Sequence, residues 1–213
     1  MAKFFMVTVT IWIFGACFYR AGIGAEPKSA GFEIATFAGG CFWCVEADFD
    51  HVEGVIETIS GYSGGTLANP TYKEVARGNS GHVEAVQIIY DPKIVSFEKL
   101  LDVFWHSIDP IDASGQFCDR GSPYLTVIFT HSKEQQVWAM ESKKKLESIA
   151  NLKLPIATRV VPLSNFYPAE EYHQNFHYKN PIRYKYYRFR CGRNERLMEL
   201  WGSEALRGLE PNK

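Results

Sequence analysis

A β-prone run from Phe32 to Phe37 ends in Ala38-Gly39-Gly40 and passes directly into Cys41-Phe42-Trp43-Cys44-Val45-Glu46, the opening of a predicted helix over Phe42 to Phe49. This strand-turn-helix join constrains the fold more than any other segment. Paired glycines permit a turn too tight for residues that carry a β-carbon. A cysteine at the first turn of a helix faces unpaired amide groups and the positive end of the helix dipole, a setting that lowers a thiol's pKa. Cys44 lies one turn further on, so its sulfur can reach that of Cys41. The plainer view, two cysteines acting as small core hydrophobes, sits poorly with aromatic residues expected to be exposed beside a helix-opening cysteine.

Downstream, strands and helices alternate with short punctuation. Val55 to Tyr62 reads as a strand closed by Ser63-Gly64-Gly65, and Val83 to Tyr90 as another ending at Asp91-Pro92. Phe97, Leu100, Leu101, Phe104, Trp105 and Ile108 recur at helical spacing behind the N-cap Ser96, giving a helix over Phe97 to Ser107. Tyr124 to Thr130 and Ala157 to Leu163 read as strands, with a helix from Lys133 to Ile149 behind the cap Ser132. The order β-α-β-β-α-β-α-β predicts an α+β fold: a two-layer α/β sandwich of ferredoxin-like type with a mainly antiparallel mixed sheet. The stretch from Phe166 to Arg193, dense in Tyr, His and Arg, reads as an irregular C-terminal extension wrapping the core.

The 213 residues carry 46% hydrophobic and 22% charged side chains, enough for one core that needs no metal or disulfide to close it. The formal charge of minus 1 and the lack of a basic stretch argue against nucleic acid as partner. Residues 1–25 read as a signal peptide: Lys3 precedes an uncharged run from Phe4 to Tyr19, and Ala21-Gly22-Ile23-Gly24-Ala25 offers small residues for cleavage. A lipoprotein signal that leaves Cys17 as a membrane tether, or a retained anchor, are the alternatives. Cleavage removes Lys3 and Arg20 and no acid, so the single remaining domain, residues 26–213, carries minus 3. Export, to a periplasm or the exterior, places the other four of the five cysteines in an oxidising compartment.

Six motifs in order span nearly all of that domain: Gly40-Cys41-Phe42-Trp43, Gly61-Tyr62-Ser63-Gly64-Gly65, Asn69-Pro70-Thr71-Tyr72, Gly81-His82-Val83-Glu84-Ala85-Val86, Gln116-Phe117-Cys118-Asp119-Arg120-Gly121 and Tyr172-His173-Gln174. Together they resemble the methionine sulfoxide reductase A family. The resemblance implies reduction of the S epimer of methionine sulfoxide, free or in polypeptides, by a monomeric enzyme with no cofactor other than an external thioredoxin-like dithiol. It departs from the family where a glycine after Phe-Trp is Cys44, and in lacking a glycine-rich tail with recycling cysteines.

The chemistry suits those residues. A sulfoxide oxygen leaves only when protonated, so a thiolate attacking the sulfur needs an acid and hydroxyl donors. The resemblance gives Cys41 the attack, Glu84 the proton, Tyr72 and Tyr124 the hydroxyls and Asp119 a supporting role, with Phe42 and Trp43 as the apolar wall for the S-methyl group. His173 is a hydrogen-bond partner or a structural histidine. Without the resemblance Glu84 would be an outward strand carboxylate and the tyrosines ordinary half-buried residues. The sulfenic acid left on Cys41 condenses with a second thiol, for which Cys44, Cys191 and Cys118 are all candidates. No second Cys-x-x-Cys or suitable His pair is present to complete a metal site. Two other classes fit parts of the chain: a thioredoxin-type disulfide oxidoreductase built on Cys41-Phe42-Trp43-Cys44, and a non-catalytic module with an aromatic binding face.

Overall fold

The computed structural model describes Met1, residues 31–148 and residues 155–209. The predicted export signal with Cys17, and the end of the helix expected to reach Ile149, lie outside the described residues.

The chain runs β1 (Glu33–Gly39), α1 (Phe42–Phe49), β2 (Val55–Ser63), α2 (Tyr72–Ala76), β3 (Val83–Tyr90), α3 (Phe97–His106), β4 (Gly115–Gln116), β5 (Asp119–Arg120), β6 (Thr126–Thr130), α4 (Lys133–Glu147), β7 (Arg159–Pro162), β8 (Phe166–Pro168), α5 (Phe176–Lys179), α6 (Pro181–Arg190) and α7 (Arg193–Trp201). Six strands form one sheet in the order β7-β6-β1-β3-β2-β8, and β4 pairs only with β5. Every pairing in the large sheet is antiparallel except that of β6 with β7. The fold is thus mixed α/β on a mainly antiparallel sheet.

Strand alternation divides the sheet into two faces. Ala35 and Phe37 of β1, Val86, Ile88 and Tyr90 of β3 and Ile128 of β6 join the main core beneath α1 and α3. Ala38, Val83, Ala85, Val127 and Phe129 form a thinner cluster on the opposite face. Phe37 sits at the middle of the main core, its ring 4.8 Å from Phe104 and 5.4 Å from Phe49. All six apolar positions that define α3 in the sequence are buried, and Ser96 caps the helix by accepting from the Lys99 amide at 3.2 Å.

The C-terminal third corrects the sequence expectation. Instead of irregular structure, Phe166 to Arg190 holds β8, α5 and α6, and α7 begins at Arg193. Pro181 opens α6 in the first turn, where its missing amide hydrogen costs nothing. Of α6 only Tyr184 is buried, so its apolar residues never traced a core-facing stripe that the sequence could reveal.

Candidate active site

The site is assembled on the join between β1 and α1. Gly40 has φ +82°, and a β-carbon there would come within 2.5 Å of the Gln116 side chain. Gln116 itself is immobilised against the Asp109 backbone, accepting from its amide at 2.9 Å and donating to its carbonyl at 2.7 Å. Both the backbone conformation and the space therefore demand glycine. Cys41 becomes the N-cap of α1, its carbonyl accepting from the Cys44 amide at 3.0 Å.

Glu84 lies on β3 in step with Val86, Ile88 and Tyr90, the residues that face the core, so alternation points it inward at the site end of that apolar row. It is 3% exposed. Its Oε2 accepts from the Phe42 amide at 2.9 Å, filling one of the donors that a helix start leaves open. Burial pushes its carboxyl up to about 8; the Phe42 amide works the other way, and Asp119 and Cys44 add to the rise. Glu84 is an uncharged acid at neutral pH.

The expected lowering of the Cys41 pKa by the helix start does not hold. Burial, then the hydrogen bond its thiol donates to Cys44, raise the Cys41 thiol well above its ordinary value, and Cys44, Glu84 and Asp119 add to the rise through their charges. Glu84 also occupies the first amide of the helix. Cys44 instead is lowered to about 7 by the hydrogen bond with Cys41, against burial and with help from Arg193 and Arg188. Of the two sulfurs, Cys41 therefore holds its proton more tightly than Cys44.

Tyr72 and Tyr124 are hydrogen-bonded to each other beside Glu84. Burial, followed by the Glu84 charge, raises both hydroxyls, which keeps them protonated donors. Asp119, on β5, accepts from the Tyr187 hydroxyl; burial raises its carboxyl, with Tyr187 and Arg193 opposing. Trp43 is half-buried and stacks on Phe176 at 3.7 Å, while Phe42 is a core side chain tilted against Tyr62 at 5.9 Å. Of the aromatic pair expected to be exposed at this turn, Phe42 is therefore buried and Trp43 half-buried. His173 accepts from the Trp43 indole at 3.1 Å and packs on Tyr72 at 4.5 Å. Burial lowers it to about 4, so it stays neutral.

Four residues that the sequence reading did not single out hold this arrangement. Glu170 accepts from the Tyr72 amide at 2.9 Å and from the Tyr62 hydroxyl at 2.8 Å, tying the start of α2 to β2. Arg193, 1% exposed, donates to Gly39 O at 3.2 Å and Ser107 O at 2.8 Å beneath the catalytic turn. Tyr187 meets Trp43 edge-on at 5.7 Å. Arg188 pairs with Asp48 at 2.7 Å, locking α6 to α1. Only Arg193 carried a signal: it lies two residues after the candidate thiol Cys191.

Of the three second thiols proposed for Cys41, the structure keeps Cys44 free and joins Cys118 to Cys191 in a disulfide across 73 residues. Neither Cys118 nor Cys191 has a thiol to offer in this state. With Asp119 they bring three potential metal-ligand atoms within 4.8 Å of one another, but two sulfurs bonded to each other are not the thiolates that zinc requires.

Residues 33–205 match the family described as peptide methionine sulfoxide reductase. The sequence is 52% identical over 170 residues to the peptide methionine sulfoxide reductase MsrA of Bacillus licheniformis, covering 80% of this chain and 94% of that one. It is 50% identical over 186 residues to MsrA 2 of Rhizobium meliloti, covering 87% and 89%. The fold is similar to that of Mxr1 from Saccharomyces cerevisiae in reduced form, with TM-score 0.68 and 30% identity over 76% of this chain and 92% of that one. It is similar also to methionine sulfoxide reductase A of Corynebacterium diphtheriae, with TM-score 0.67 and 33% identity over 76% and 81%. A dithiol exchanger of thioredoxin type is not favoured. With likeness of this order from β1 to the end of α7, the chain belongs to the peptide methionine sulfoxide reductase family, oxidoreductases that return methionine sulfoxide to methionine.

Proposed function

We propose that Cys41 attacks the sulfoxide sulfur while Glu84 protonates its oxygen and the hydroxyls of Tyr72 and Tyr124 hold that oxygen in place. The observation that carries this reading is Glu84: a buried carboxyl raised to about 8 and hydrogen-bonded at 2.9 Å to the residue next to the nucleophile. An acid in that state gives up a proton where an ordinary glutamate has none. As Cys41 attacks, its proton passes to the Cys44 thiolate, an adjacent base of the kind that activates weak nucleophiles. The oxygen ends on Cys41 as a sulfenic acid and methionine leaves, so one thiol and one sulfoxide become one sulfenic acid and one thioether. Trp43 offers the sulfur-bound methyl group an aromatic face.

Cys44 is the resolving thiol in this reading, because it is free and lies one turn from Cys41. It displaces water from the sulfenic acid to give a Cys41–Cys44 disulfide, which a thioredoxin-like dithiol then reduces by exchange. Export of the chain through residues 1–25 belongs to the same proposal; a disulfide outside the nucleophile pair is in keeping with an oxidising compartment. The strand order β6-β1-β3-β2 supports a ferredoxin-like description of the central sheet.

The test is methionine formation from methionine sulfoxide with dithiothreitol as reductant, run beside an insulin-reduction assay. Sulfoxide reduction with no insulin reduction is expected. The reverse pattern would reinstate the dithiol exchanger.

A further inference from the structure

The Cys118–Cys191 disulfide stands directly behind Asp119. Cys118 is its chain neighbour, and Cys191 Sγ lies 3.8 Å from Asp119 Oδ2 and 4.0 Å from the Tyr187 hydroxyl. Cys191 follows Tyr187 by four residues, one turn along the same helix face, and its amide donates to the Tyr187 carbonyl at 2.9 Å. Tyr187 closes the ring by donating to Asp119. The circuit therefore runs from Cys118 to Asp119 through the chain, to Tyr187 by a hydrogen bond, to Cys191 along the end of α6, and back through the sulfur-sulfur bond.

The hairpin that carries Asp119 is held on its β4 side by Gln116 against Asp109, and the disulfide holds its β5 side. Strands β4 and β5 have two residues each and pair with no strand of the large sheet. Phe117 between them is a non-glycine residue at φ +56°, a conformation that persists only where the surroundings enforce it. Asp119 acts electrostatically on Cys41, Glu84, Tyr72 and Tyr124, and Tyr187 sets an edge of Trp43. A small displacement of this hairpin would reach both the proton donors and the aromatic wall. Proximity and orientation at a reacting centre are steep in distance.

We propose that the Cys118–Cys191 disulfide is a positioning brace for the chemical step: it holds Asp119 against the Tyr187 hydroxyl, and Tyr187 against Trp43, and takes no part in sulfur-to-sulfur electron transfer. The proposal rests on the reading of Cys41 and Glu84 given above.

A brace that works through one contact makes a non-additive prediction. The rate of methionine formation in a single turnover, without reductant, is measured for four species. These are the wild type with its disulfide intact, the wild type pre-reduced with dithiothreitol and desalted without oxygen, Tyr187→Phe intact, and Tyr187→Phe pre-reduced, with thiols counted by mass spectrometry. Opening the disulfide and removing the hydroxyl should each slow the step by about three- to tenfold, and both together no more than either alone. The alkaline limb set by Glu84 should move to lower pH in all three altered species, because an Asp119 released from Tyr187 shifts away and raises the Glu84 carboxyl less. Multiplying effects would show that the disulfide acts elsewhere and overturn the brace. An unchanged single turnover, with Cys118→Ser and Cys191→Ser failing only in repeated turnover with thioredoxin, would make the pair an electron relay and also overturn it. No methionine from the intact wild type would instead strike at the reading of Cys41 itself, and the brace would fall with it.

Discussion

The backbone amide of Phe42 donates to Glu84 Oε2 at 2.9 Å, so the residue next to Cys41 is tied to the buried carboxyl of β3. One hydrogen bond thus links the two groups that the proposed reaction uses as nucleophile and acid. The leading amide of the helix thus serves a carboxyl, while burial keeps the Cys41 thiol raised.

Glu84→Gln keeps the shape and the bond from Phe42 while removing the acid. Its rate near neutral pH should fall by roughly 100-fold or more, the range of a positioned general acid. Wild-type activity should decline as pH rises through about 8, since only the protonated form below that pH can donate. The variant should lack this alkaline limb. A pH-rate profile on both proteins checks each statement.

Cys44→Ser leaves the nucleophile but removes both its neighbouring base and the resolving thiol. One methionine per enzyme should still form, more slowly than in the wild type. Recycling with thioredoxin should collapse, and a sulfenic acid on Cys41 should persist and react with dimedone. Normal recycling in this variant would transfer the resolving role to Cys191 or Cys118.

The proposed arrangement makes the site discriminate between epimers. With the methyl group set on Trp43, the oxygen on Tyr72, Tyr124 and Glu84, and the attacking sulfur on Cys41, only one chirality at the sulfoxide sulfur fits. Separated epimers assayed side by side should show reduction of the S form only; comparable rates on both would refute the arrangement.

Much of this site could be read in the sequence because its parts are local. The glycine pair and Cys41 sit on one turn, and the period of two along β3 carries Glu84 to the same face as Val86 and Ile88. What escaped is long-range. The pairing of Cys118 with Cys191 spans 73 residues and follows only from the folded path. Helix α6 turns Ile182, Tyr186 and Phe189 outward, between 66% and 86% exposed, so its periodicity does not announce a buried face. The environment of Cys41 was misjudged for a related reason, since burial outweighs the helix dipole and no linear pattern reports it.

Behind α1, Glu46 is fully buried, 3.9 Å from His177 and near Asp50, and burial pushes its carboxyl up to about 7. His177 is lowered to about 4, chiefly by burial, so both are neutral at pH 6. A raised folded-state pKa means that stability is fully present below the ordinary carboxyl pKa and is lost as pH rises through about 7. Glu46→Gln cannot ionise and should escape that loss. The stability gap between variant and wild type, followed by urea melts from pH 5 to pH 8, should widen in favour of the variant by on the order of 2 kcal/mol.

The central claim is that the oxygen of methionine sulfoxide passes to Cys41. It is tested most directly by counting methionine formed in a single turnover without reductant, with mass spectrometry of the cysteine peptides afterwards. The wild type should release one methionine per enzyme and show the Cys41 peptide either as a sulfenic acid or joined to Cys44. Cys41→Ser should release none, because its hydroxyl has a pKa far above that of a thiol and supplies no nucleophile at neutral pH. A full equivalent of methionine from Cys41→Ser, or oxidation that first appears at a cysteine other than Cys41, would contradict the account.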